Sequence, residues 1–308
     1  MRFRRSTLGA VVVLLAVLTG ACAGGDALQG GGGGDGGGGG GPIIVGSANF
    51  PEQLVLANMY AQVLEDAGVK TRTRLNLGSR EVVFPALKSG EINLLPEYTG
   101  ALLDFVAGES TVTEPDAVYE ALQEELPDGL VALEPSEAQD KDGLAVLPET
   151  AEEHDLETYS DLEPVAGDMS VGGPPEMETR EVGLPGLKRV YGIEFAKFVP
   201  LDTAGPVTWE ALQSGDVDVA RVFTTQGIIE ARDWVLLEDD KDLAPAQEIV
   251  PVIAEDSLTS EVETALNEVS GVLTTEDLTD LNKQVEIDKR DPAAVARDYL
   301  KEQGLIEG

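Results

Sequence analysis

Residues 86–95 read Ala-Leu-Lys-Ser-Gly-Glu-Ile-Asn-Leu-Leu, and residues 211–220 read Ala-Leu-Gln-Ser-Gly-Asp-Val-Asp-Val-Ala. Each copy gives the end of an amphipathic helix, a Ser-Gly stop and a buried strand. The copies lie 125 residues apart. Two copies are too few for a solenoid, but they imply two lobes that present the same unit. The residues just after each strand align as well: Tyr98-Thr99 in the first copy, Phe223-Thr224 in the second. In α/β sheets, ligands bind outside the carboxyl ends of the strands. Each lobe therefore offers one aromatic ring and one hydroxyl at the corresponding strand end. If the lobes face one another, these four side chains meet across a cleft. By position alone either ring is equally at home in a core. Aromatics make up only 5% of the chain, and their recurrence at one point of both units favours a binding role.

Outward from the repeat, short apolar strands alternate with amphipathic helices, the pattern of α/β lobes. Strands are expected at Ile43–Val45, Thr71–Leu77, Ile92–Leu95, Leu144–Leu147, Met169–Val171, Val217–Val222 and Trp234–Leu237. A helix is expected from Pro51 to Ala67, with Pro51 in its first turn and Gly68 as its stop. Another is expected from Pro292 to Gln303. Ser79 can cap a helix that Pro85 must kink or divide.

The N-terminus reads as an export signal over residues 1–21. Arg2, Arg4 and Arg5 precede the apolar run Leu8–Leu18 and the small residues Thr19-Gly20-Ala21. The run is shorter than the roughly 20 residues a membrane crossing needs. Cys22, the only cysteine, excludes an internal disulfide. Its setting resembles the lipobox of bacterial lipoproteins, with Thr19 where Leu is usual, and this implies a diacylglycerol on the thiol. Residues 22–41 then form a lipidated cysteine and a glycine-rich tether that can bury nothing. The expected location is the extracytoplasmic face of the cell membrane. Without the three signal arginines the chain keeps 18 basic residues against 57 acidic ones, a net charge of −39. Such a surface excludes nucleic acid as a partner.

Enzymatic chemistry finds little support. The single histidine, His154, sits in a polar stretch and reads as a solvated surface residue. No Ser-His-Asp or Cys-His set can form, no zinc cluster is available, and no cofactor motif appears. Among 57 acids, paired carboxylates carry no information. Glu238-Asp239-Asp240 and Asp140-Lys141-Asp142 read as loop charges. No catalytic residue, metal site or cofactor is expected.

Several motifs resemble one family. Gly46-Ser-Ala-Asn-Phe-Pro-Glu-Gln53, Leu77-Gly-Ser79, Pro96-Glu-Tyr-Thr-Gly100, Gly172-Gly-Pro-Pro-Glu176, Phe223-Thr-Thr225 and Leu236-Leu-Glu-Asp-Asp240 are similar, in order and spacing, to the osmoprotectant-binding proteins of ABC importers. The resemblance implies a two-lobed periplasmic-binding-protein fold of the two-crossover type, with the ligand in the interlobe cleft. Lobe one would comprise residues 43–143 plus 246–308, and lobe two residues 144–245. It implies capture of a quaternary ammonium solute such as glycine betaine, choline or carnitine, and delivery to a permease with its ATPase. A monomer held to the membrane by its lipid is expected. The alternatives are a different small cationic, zwitterionic or polar solute, or a sensory or adhesive lipoprotein without a transport role.

A methylated ammonium cannot donate hydrogen bonds, so ring faces hold it by cation–π attraction. Tyr98 matches a cage tyrosine of the family, and Phe223 falls where many members place another. The resemblance, together with the repeat, points to Ser47, Asn49, Gln53, Ser79, Tyr98, Thr99, Phe223, Thr224 and Thr225 as ligand-binding residues. Tyr98 and Phe223 are expected to face each other across the ligand. The sequence also departs from the family. No tyrosine stands near Asp142-Gly143-Leu144, Pro245-Ala246-Gln247 replaces Pro-Pro-Tyr, Gln226 replaces the Asp after Thr-Thr, and Ala101 replaces a Thr. A full aromatic cage is not visible.

Overall fold

A computed structural model describes residues 41–108 and 112–307. The signal region, Cys22 and nearly all of the tether lie outside the described residues. Among those described, ten strands form two five-stranded sheets. The first holds β1 (Ile43–Gly46), β2 (Thr71–Arg74), β3 (Leu94–Tyr98), β4 (Leu130–Ala132) and β10 (Ile249–Ala254), in the order β2-β1-β3-β10-β4. The second holds β5 (Asp142–Val146), β6 (Ser170–Gly173), β7 (Lys197–Pro200), β8 (Val219–Phe223) and β9 (Val235–Leu236), in the order β7-β6-β8-β5-β9. Both are mixed, and in the same way. The strand before the central one runs parallel to its neighbours, and the strand after it runs antiparallel. β3 and β8 are equivalent strands at the centre of each sheet, as the internal repeat requires.

Helix α1 (Pro51–Asp66) starts as expected, with Pro51 in a turn whose N–H would have no helical partner. It buries Val55, Leu56, Met59, Tyr60, Val63 and Leu64 in the core of the first sheet. The same core takes apolar residues from the C-terminal helices Ser260–Ser270, Thr275–Glu286 and Pro292–Glu302. Helix α2 (Arg80–Lys88) contains Pro85 without being divided. The second sheet has a core on each face, one built around Val146, Val171 and Val219, the other around Trp209, Leu212 and Val222.

The chain passes from the first sheet to the second between β4 and β5 and returns between β9 and β10. The two passing segments bond to each other and to β10. Ser136 N donates to Ile249 O at 2.9 Å, and Asp140 N to Gln247 O at 3.1 Å. The returning segment also presses on the end of β3, where Thr99 N and Gly100 N donate to Glu248 O and Ala246 O, each at 3.0 Å. A Cβ on residue 100 would stand 2.5 Å from Ala246 O, so glycine is needed there for the close approach. These bonds bring the carboxyl ends of β3 and β8 to the same opening.

Candidate functional site

A cavity of about 350 Å³ opens at these strand ends. The first half of the chain contributes the β1–α1 loop with Asn49 and Phe50, then Gln53, Ser79 and Arg80, and Tyr98 at the end of β3. The passing segment and β5 contribute Asp140 and Asp142, and β8 contributes Arg221 and Phe223.

Three rings form a stack, not a box. Phe50 stacks on Phe223 with centroids 4.6 Å apart and on Tyr98 at 6.2 Å. The Arg221 guanidinium carbon lies 3.9 Å from the Phe223 centroid. Phe50 therefore stands between the two rings that were expected to face each other, and a guanidinium of the protein itself lies against Phe223. The spacing of Tyr98 and Phe223 could not reveal this, because Phe50 arrives from a different loop.

Two buried ion pairs flank the stack. Arg80 grips Glu97 with Nε 3.0 Å from both carboxylate oxygens and Nη2 2.7 Å from Oε2. Arg221 pairs with Asp142 across the β8–β5 ladder. Burial pushes the Arg221 guanidinium down to about 10, still far above neutrality, so it remains charged. At the mouth, Arg180 from the second half reaches Glu81 from the first, with Nη2 2.9 Å from Oε1.

Beneath the cavity lies a buried polar knot. Glu52 accepts hydrogen bonds from Tyr98 Oη (2.6 Å), Thr225 Oγ1 (2.7 Å) and Asn282 Nδ2 (2.6 Å). Burial raises the Glu52 pKa, against the pull of these three donors. Burial, together with the nearby Glu52, holds Asp140 well above the usual carboxylate range. Asp140 is only 4% exposed, and Asp142 carries the ion pair to Arg221. The expectation that Asp140 and Asp142 are loop charges is thus corrected. Asp239 is not a free loop charge either: it accepts from Leu243 N at 2.9 Å and Ala244 N at 2.8 Å, and from the Tyr191 hydroxyl.

Of the nine residues singled out in the sequence, the cavity brings together Asn49, Gln53, Ser79, Tyr98 and Phe223. Gln53 lines it while both ends of its amide are engaged, with Ala48 N at 3.2 Å and Pro96 O at 3.0 Å. The other four lie outside the lining, three of them holding backbone and Thr225 a side chain. Ser47 Oγ accepts from Asn76 N at 2.8 Å. Thr99 Oγ1 donates to Ala246 O at 3.2 Å, Thr224 Oγ1 accepts from Lys141 N at 2.9 Å, and Thr225 serves Glu52. Sequence reasoning missed Phe50, Arg80, Glu97, Asp142 and Arg221 as lining residues. One signal was available for Arg221: two residues before Phe223 on a strand, it shares that ring's face. Among the described residues, no group of three or more His, Cys, Asp or Glu side chains could hold a metal ion. No described helix is long and apolar enough to cross a membrane.

Two like-ordered sheets, joined by two passing segments around one polar and aromatic cavity, define a two-lobed solute-binding protein of the type II periplasmic-binding-protein fold. A family model, "Substrate binding domain of ABC-type glycine betaine transport system", matches residues 41–302, and the chain belongs to this family. It is 30% identical over 277 residues to the glycine betaine-binding protein YehZ of Escherichia coli K12, covering 85% of this chain and 91% of that protein. It is 27% identical over 277 residues to the carnitine transport binding protein OpuCC of Listeria monocytogenes, covering 86% and 88%. A crystal structure of a glycine betaine/carnitine/choline ABC transporter protein superposes with a TM-score of 0.69 at 25% identity, covering 86% of this chain and all of that one. The chain is accordingly the substrate-binding protein of an ABC importer, acting on the extracytoplasmic side, and not an enzyme.

Proposed function

We propose that the cargo is a small quaternary ammonium osmoprotectant of the glycine betaine, carnitine or choline kind. The observation that carries this reading is the make-up of the cavity wall. Phe50, Tyr98 and Phe105 share it with the carboxylates Asp142, Glu176 and Glu181. Apolar ring surface suits methyl groups, and an acidic surround suits a positive charge that cannot hydrogen-bond. A volume of about 350 Å³ lies at the small end of the range of about 300–1,000 Å³ for ligand pockets. The relatives named for glycine betaine and carnitine support the same class. Lobe one would comprise residues 43–143 plus 246–308, and lobe two residues 144–245. The Arg180–Glu81 bridge, which joins the two halves at the mouth, would hold them closed on the solute. The loaded protein, a monomer tethered through lipidated Cys22, then presents the solute to a permease with its ATPase. Thermal shift and calorimetry with betaines, choline, carnitine and other polar solutes test the reading, because a ligand that binds only the folded state raises the melting temperature. Binding of none of the quaternary ammonium compounds, with clear binding of another solute, would refute it.

A further inference from the structure

The two halves also meet away from the cavity wall. The helix Thr275–Glu286 packs in the core of the first sheet, while Thr225, Gln226 and the short helix Gly227–Ala231 follow β8 of the second. The approach is close: a Cβ on residue 227 would stand 2.7 Å from Lys283 Cα. Across this contact Asn282 Nδ2 donates to Thr225 O at 3.2 Å, and Gln226 Nε2 to Glu286 Oε1 at 3.3 Å. Glu286 Oε2 is buried and has no hydrogen-bond partner among the described residues. One turn back on the same helix face, Asn282 Oδ1 is buried and has no partner either. An ionised carboxylate can only accept, whereas a protonated one has an O–H to give. Two orphaned acceptors on neighbouring side chains therefore favour a neutral Glu286.

The surrounding charges favour the same form. Helix α1 presents Glu52 to it, and Glu52 in turn faces Asp140 of the passing segment, with Arg221 of β8 beyond. Lys283, on the same helix, turns to Glu230 of the short helix at 3.4 Å, and Lys289, just past the helix end, donates to the main-chain oxygen of Glu286 at 2.6 Å. Both of these bonds bypass the Glu286 carboxyl. The Gln226 amide and the N–H groups of Gly227 and Ile228 pull towards the ionised form, but burial outweighs them and raises the group from 4.5 to about 7. We propose that Glu286 links closure of the two halves to a proton: it is protonated as the contact seals, so that acid favours the closed form and tightens solute binding. When the halves part, water reaches the carboxyl and returns it to its ordinary range. The closed form then binds the proton more strongly than the open one, and by reciprocity the proton favours the closed form. The inference rests on the reading that the halves close on the solute, and not on which solute it is.

The decisive measurement needs no ligand. Val82 on α2 and Val207 on the helix Pro206–Ser214, which packs on the second sheet, are 54% and 56% exposed. Dyes on V82C and V207C, in the full chain carrying C22S, report the separation of the halves by energy transfer at pH 8 and pH 5, with and without glycine betaine. With an ordinary value of 4.5 when open and about 7 when sealed, Glu286 is expected to raise the closed-to-open ratio of the free protein by about tenfold or more between pH 8 and pH 5. E286Q keeps an amide oxygen for Gln226 and is expected to hold that change within about threefold. It also separates this proton from the general easing of repulsion in so acidic a chain, and E286A serves the same purpose if E286Q does not fold. A ratio that stays constant with pH when Glu286 is present would overturn the proposal whatever the variants do, and so would a change of equal size in a folded variant. A separation that responds to glycine betaine but not to pH removes the proton linkage and keeps the closure. One that responds to pH but not to glycine betaine keeps the linkage and removes glycine betaine as cargo. Response to neither removes closure and linkage together.

Discussion

Glu286 ends the helix Thr275–Glu286 and is 3% exposed. Its Oε1 accepts from Gln226 Nε2, a residue of the second half of the chain, at 3.3 Å. Burial, with Glu52 nearby, raises its pKa from an ordinary 4.5 to about 7. The folded protein therefore keeps this proton to higher pH than the unfolded chain does. Stability contributed by the protonated form is fully present below about pH 4.5 and is lost as pH rises through about 7. At about 1.4 kcal/mol per pH interval of displacement, the loss between pH 5 and pH 8 is roughly 2–3 kcal/mol. Glu286→Gln keeps an amide oxygen for Gln226 and removes the titration. Urea unfolding of both proteins at the two pH values should show wild type losing roughly 2–3 kcal/mol more than the variant between them. Because the comparison is between proteins, contributions from Glu52 and Asp140 largely cancel. Equal pH dependence in the two proteins would refute the reasoning and mean that Glu286 is ionised in the fold at pH 5.

Glu52→Ala removes the acceptor shared by three buried donors and should cost roughly 3–5 kcal/mol by urea unfolding, since each such bond contributes about 1–2 kcal/mol; a loss below about 1 kcal/mol would show that water replaces the carboxylate. Tyr98→Ala should weaken solute binding about five- to thirtyfold by calorimetry. Tyr98→Phe should cost less affinity but lower stability by about 1–2 kcal/mol through the lost bond to Glu52, and an unchanged affinity in the alanine variant would assign the ring to the core. Cys22→Ser should move the protein from the detergent phase to the aqueous phase in partition assays, and retention with the membrane would reject the lipid anchor.

The repeat made the equivalence of β3 and β8 legible, since a two-residue stop and a strand of set length leave little freedom for where the chain emerges. Strand β10 was not legible. Pro251 sits in its middle and cannot donate to a ladder, so the segment does not read as the interior strand it is. In the structure Pro251 stands opposite Pro96. At the site, aromatic scarcity singled out Tyr98 and Phe223, whereas Glu97 and Asp142 were hidden among 57 acids. A carboxylate gains meaning only from the guanidinium it meets, and Arg80–Glu97 and Arg221–Asp142 join residues 17 and 79 positions apart. The hydroxyls read as ligand contacts went largely to the backbone, which short polar side chains serve as readily as a solute.

Strand order has a consequence for how this chain is made. All five strands of the second sheet lie in one stretch, residues 142–236, while the first sheet needs β10, residues 249–254, between β3 and β4. A polypeptide emerging N-terminus first therefore completes the second sheet while the first is still a three-stranded fragment and a lone strand. Leu94 and Leu95 lie along the unpaired margin of that fragment until their partners Ile253 and Val252 arrive. Such a margin is a template for wrong pairing, so the half of the protein synthesised first is the half that most needs protection during biogenesis.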